Sequence, residues 1–125
     1  MNQDNIIFKY TRAQALEDGV LIDISALAAE RGFRVPVAVT SELYHEYLVP
    51  SKEAKDLGQT LDGRIYDMLT IFFFEIRKNS HRNPMKIRVS FLMSETDVQS
   101  PILKCVIDGG DDGKPVITIM LKNQD

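Results

Sequence analysis

Cysteine is nearly missing from this chain: Cys105 stands alone among 125 residues. One thiol cannot form an internal disulfide or a multi-cysteine zinc site. A reducing compartment suits such a chain, and a cytoplasmic location is expected. The two histidines, His45 and His81, lie in different segments with no Cys or second His at ligand spacing, so neither a metal centre nor a catalytic triad is expected. Neither GxGxxG nor GxxxxGK[ST] occurs, which leaves nucleotide phosphates without a backbone cradle. No apolar run approaches the roughly 18 residues of a membrane span. Residues 1–5 are polar rather than basic and then apolar, so neither a membrane protein nor an exported one is expected. Neither sign of charge dominates. A net charge of -3 implies neither non-specific nucleic-acid binding nor acidic mimicry of a duplex.

What is present fits a globular chain. Hydrophobic residues make up 44% and charged residues 26%, far from disordered composition. The length predicts one domain over 1–125, large enough to fold around its own core. Residues 60–78 hold the longest uninterrupted apolar period. Leu61, Ile65, Met68, Leu69, Phe72, Phe73 and Ile76 fall on one stripe of an α-helix. Tyr66, Thr70 and Phe74 form a second row, which predicts that this central helix touches protein on more than one side.

Short elements precede it. Residues 6–10 read as a β-prone run, and Thr11 with Gln14 has the spacing of a reciprocal N-cap for a helix over 12–18 that Gly19 ends. Ser25 is expected to cap a helix over 26–31 that stops at Gly32. Pro36 confines residues 35–39 to an edge or an irregular stretch, because it has no N–H for a ladder. Thr40 or Ser41 begins a helix carrying Leu43, Tyr44, Tyr47 and Leu48 that Pro50 terminates.

After Met85 the period becomes two. Ile87, Val89, Phe91 and Met93 alternate with Lys86, Arg88, Ser90 and Leu92, and residues 102–107 and 116–121 supply two more strands. The predicted fold is α+β in two layers: a three-stranded antiparallel C-terminal meander packed on the long central helix, with short N-terminal helices.

Several groups invite a chemical reading. Asp108, Asp111, Asp112 and Gly113 superficially resemble a cation loop, but the twelfth position, where calcium needs a bidentate Glu, holds Ile119. A solvated hairpin turn is expected instead, with no metal and no cofactor. Cys105 falls in a strand at a buried position, where a thiol is inert packing. Asp18 and Asp23 near Gly19, with His45 and Glu46, are the only acid-base candidates, so no catalytic residue is assigned.

If Val89, Phe91, Cys105, Ile107, Ile117 and Ile119 face the helix, the other sheet face collects Lys86, Arg88, Ser90, Lys104, Thr118 and Lys122. Arg77, Lys78, His81 and Arg82 extend that basic character. Cationic sheets bind nucleic acid, but usually with exposed aromatics. None of the outward positions here is aromatic.

The run Tyr10-Thr11-Arg12-Ala13-Gln14-Ala15, then Asp18-Gly19-Val20-Leu21 and Asp23-Ile24-Ser25, resembles an uncharacterised family of small proteins. So do Gly32-Phe33, residues 36–40, Gly58-Gln59, Gly63-Arg64 and Asp67-Met68-Leu69. Its members occur on plasmids, prophages and other mobile elements. The resemblance implies an accessory factor that binds a host or element protein, such as an inhibitor of host defence, and supplies no catalytic residues. The expected function is therefore non-enzymatic protein binding, with Tyr66 and Phe74 at an interface to a host or element protein or to a second copy. The rival readings are a nucleic-acid factor using Lys86, Arg88, Lys104, Lys122, Arg77 and Arg82, and a small enzyme.

Overall fold

The computed structural model of the protein describes residues 10–125; the β-prone run expected over 6–10 lies outside them, Tyr10 apart. Thr11 opens helix α1 (Arg12–Glu17). Its hydroxyl accepts from the Gln14 N–H while the Gln14 side chain accepts from the Thr11 N–H, the reciprocal cap that the spacing predicts. Gly19 turns the chain at φ +79°, a conformation that side chains resist, into strand β1 (Leu21–Asp23).

Helix α2 (Ser25–Arg31) follows. Contrary to expectation Ser25 does not cap it. Its hydroxyl donates to Asp23 at 2.5 Å and accepts from the Val37 N–H at 3.0 Å, which ties the helix start to strand β2 (Val37–Thr40). That strand corrects a second expectation. It is not at an edge: β1 pairs with it on one side and β7 (Pro115–Leu121) on the other, and all four residues are buried. Pro36 is harmless because it lies just outside the strand, where only its carbonyl is used, accepting from the Ile117 N–H at 2.9 Å.

The Thr40 hydroxyl caps α3 (Ser41–Leu43), which widens into a π-helical turn, Tyr44–Leu48, closed by the Val49 N–H reaching Tyr44 O at 2.9 Å. Next come α4 (Lys52–Asp56) and α5 (Leu61–Lys78), capped by Ser51 and Thr60. In α5 the buried stripe is Ile65, Met68, Leu69 and Phe72. These four share one cluster with Val37, Val39, Leu103, Cys105, Ile117 and Ile119 of the sheet. At roughly 1.5–3 kcal/mol for each fully buried side chain, this contact is the main source of cohesion between the layers.

The class is α+β, but the sheet has five strands rather than three, in the order β1-β2-β7-β6 (Ile102–Gly109)-β3 (Met85–Arg88). Strands β3, β6 and β7 are antiparallel neighbours, and β7 runs parallel to β2 with Val37 opposite Ile117. The alternation after Met85 also breaks sooner than expected. The Val89 N–H donates to Pro101 O at 3.0 Å, and Pro101 has no N–H to return. The β3–β6 ladder therefore stops at Arg88–Ile102. The chain then folds a separate hairpin, β4 (Phe91–Ser94) with β5 (Asp97–Gln99).

Candidate functional site

Helix α1 lies over the sheet face turned away from α5, and between them runs a groove of about 710 Å³. Ala15 of α1 and Val106, Val116, Thr118 and Met120 of the sheet line it, together with Glu42, Asp108, Asp111 and Gln124. Arg12 crosses it. Its guanidinium donates to Thr118 Oγ1 at 2.7 Å and to Ile117 O at 2.9 Å. Burial pushes this guanidinium down from its ordinary value, and the carboxylates of Asp108, Asp23 and Asp111 push it back up. Asp111, from the β6–β7 turn, accepts the backbone N–H groups of Arg12 and Ala13 at 2.9 and 3.0 Å. Thus the acidic turn that resembles a cation loop latches the start of α1 to the sheet. Asp112 of the same turn accepts from the Lys114 N–H.

The four acid-base candidates do not converge there. Asp18 accepts from the Tyr10 hydroxyl at 2.8 Å, which raises the phenol pKa, and Asp23 is occupied by Ser25. His45 Nδ1 lies 2.9 Å from Ser41 O, an oxygen that only accepts, so Nδ1 carries the proton in that contact. Glu46 is exposed. None of these four lines the groove. Cys105 is buried and its pKa is pushed up to about 12 by that burial, the mark of a packing thiol rather than a nucleophile.

The basic sheet face has a different character from the one its sequence suggests. Lys86 and Arg88 are exposed, with Arg88 donating to Ser100 O at 2.7 Å, and Lys122 and Arg82 are exposed as well. Lys104 is folded down: its side chain is 14% exposed, its ammonium donates to Gln124 O, and Asp125 stands 4.0 Å away. Thr118 is taken by Arg12, while Val116 and Met120 on the same face are buried.

Tyr66 and Phe74, the interface pair read from the second row of α5, do come together with other residues. Phe74 is 50% exposed and meets Phe73 edge to face, with centroids 5.6 Å apart. Phe33, just beyond α2, meets Phe73 in the same manner at 5.5 Å. Arg31, the last residue of α2, was not among the residues singled out from the sequence. Its guanidinium sits 5.5, 5.4 and 5.6 Å from the ring centroids of Tyr66, Phe73 and Phe74. Arg77 lies over the Phe73 ring too, at 5.4 Å. Gly32 makes the approach possible: it adopts φ +121°, and a Cβ there would stand 3.0 Å from the Phe73 ring. In sequence Arg31 carries only the signal of a basic residue before a helix-stopping glycine, since its ring partners are some 35–43 positions away.

A model of the family described as "Family of unknown function (DUF6573)" matches residues 1–125. The chain belongs to that family. No curated protein and no solved structure matches it. Many residues that carry the resemblance of this DUF6573 chain to an uncharacterised family are engaged in holding the fold. Thr11 and Gln14 cap α1, Arg12 ties it to β7, Asp23 and Ser25 join α2 to β2, and Gly32 fits against Phe73. Gln59 and the buried Arg64 share a part-buried bond network.

Proposed function

We propose that this DUF6573 protein is a small non-enzymatic binding protein that holds another protein on the outer side of α5. The observation that carries this reading is the cluster of Arg31, Tyr66, Phe73, Phe74 and Arg77, in which Arg31 lies over the half-exposed Phe74 and shares the neighbouring Phe73 ring with Arg77. Tyrosine and arginine dominate binding energy at protein interfaces because each combines a large contact area with directed donors. Ile71, also at the surface of α5, adds aliphatic area. The resemblance stated above supports a binder that serves a mobile element, with a host or element protein, including one of host defence, as the partner.

The test is a photo-crosslinking amino acid at position 74 of the full chain, with a control at the exposed Val98 of the β4–β5 hairpin, in nuclease-treated host lysate. A discrete protein adduct formed from position 74 and not from 98, and competed away by wild-type protein but not by Phe74→Asp, is the expected result. Equal labelling from both positions, or no competition difference, would overturn it.

A further inference from the structure

We infer that the surface over α5 takes an acidic protein segment, whose carboxylates engage the terminal N–H groups of Arg31 and Arg77 while an apolar side chain covers Phe74. This deepens the proposed function and rests on it.

The argument begins with what the rings leave unsatisfied. Cation–π contact with Tyr66, Phe73 and Phe74 attracts the Arg31 charge to ring faces. It uses none of the five N–H donors that lie in the guanidinium plane. Arg31 Nε is buried without a hydrogen-bond partner and out of reach of a docked segment, which leaves the terminal nitrogens of its fork as the donors on offer, and among the described residues no carboxylate forms an ion pair with Arg31 or Arg77. Both arginines lie in the last turns of their helices and so complement the helix dipoles. That accounts for their sign and leaves their donors unused. Lys78 in the same turn is answered by Glu75 at 3.8 Å.

Two cations held against one ring, Phe73, repel each other. Negative charge brought to either guanidinium relieves this repulsion, and the planar guanidinium fork matches a carboxylate in two parallel bonds. The cluster is also prearranged. Phe33 and the close passage of Gly32 fix Phe73, and three rings fix Arg31, so little side-chain freedom is left to lose on binding.

The same geometry argues against nucleic acid as occupant. Single strands bind by stacking bases on aromatic faces, and here guanidinium groups already lie on those faces. What the surface still offers is the exposed part of Phe74, the flank of Ile71 and two forks. That combination fits carboxylates beside an apolar side chain.

The experiment follows the side-chain Nε–Hε resonances of Arg31 and Arg77 in the full-length protein. The probes are a synthetic peptide alternating Glu and Leu, its Gln/Leu counterpart and an oligothymidylate. Saturable shifts of both resonances with the Glu/Leu peptide alone are expected. Affinity should fall about tenfold in the Arg31→Gln/Arg77→Gln variant and less in the Arg31→Lys/Arg77→Lys variant, which keeps both charges and guards against a folding defect. Equal binding of the Gln/Leu peptide, tighter binding of oligothymidylate, or no shift at all would overturn the inference. Shifts that grow with protein concentration before any probe is added would make a second copy the occupant, and would overturn it too. If the position-74 crosslink persists in the Arg→Gln variant, the binding surface stands and the acidic partner falls. If the crosslink is absent from the wild type, it is the proposed function that falls.

Discussion

Arg64 is 4% exposed, and its charge is met by oxygens. The guanidinium donates to the Gln59 side chain at 3.2 Å, to Tyr47 O at 2.6 Å and to Leu92 O, and lies over the Phe91 ring. It thus joins α5 to the π-helical turn and to β4, three segments with no direct ladder between them. Burial lowers its pKa from the ordinary value, though a guanidinium stays charged at neutral pH. Arg64→Met should take the guanidinium donors away from two main-chain carbonyls and cost about 3 kcal/mol. Arg64→Lys should restore less than half of that, because one ammonium cannot span the three oxygens that a fork reaches. Urea unfolding of both variants is the check; equal stability of Arg64→Lys and wild type would mean that charge alone suffices. Nothing in the local pattern separates this arginine from Arg31 or Arg77, since all three are basic residues on helices. The difference lies in what packs above them.

At the scale of elements, α1 depends on a side chain 98–99 positions away. Asp111 supplies acceptors to the Arg12 and Ala13 N–H groups, where an anion also complements the helix dipole. Asp111→Ala should weaken α1 by about 1 kcal/mol and raise hydrogen exchange of its amides, with α5 left as protected as before. Uniform exchange across both helices would show that α1 is not a separately latched element. The cap of α1, the stripe of α5 and the turn at Gly19 were all legible in the sequence, because each is set by neighbours within a few positions. Asp111 as a latch was not. An acidic, glycine-rich turn reads the same whether its carboxylates meet water, a cation or a distant helix.

Across the whole molecule, the parallel pair β2–β7 joins the N-terminal and C-terminal halves. Val37 and Val39, fully buried, stand beside Ile117 and Ile119 in the middle of the sheet. A fragment spanning residues 58–125 would keep α5 and the antiparallel strands but expose β7 as a bare apolar edge. It should remain unfolded, as read from poor dispersion of its amide resonances. A well-dispersed spectrum would show that the C-terminal meander and its helix form an autonomous unit.

The sequence by itself determined the α+β class, the long helix α5 and its buried stripe, the caps at Thr11 and Thr40, the burial of Cys105 and the pairing partners β6 and β7 across a glycine-rich turn. These follow from periodicity and from bonds that close within a few residues. Only the tertiary structure decided that β2 sits inside the sheet despite Pro36, that the strand after Met85 breaks opposite Pro101, and that Lys104 folds onto the chain end. It also decided that Arg31 lies on the rings of α5. Each of these is settled by a partner remote in sequence, and burial, charge and hydrogen bonding at such a contact depend on where the chain returns in space.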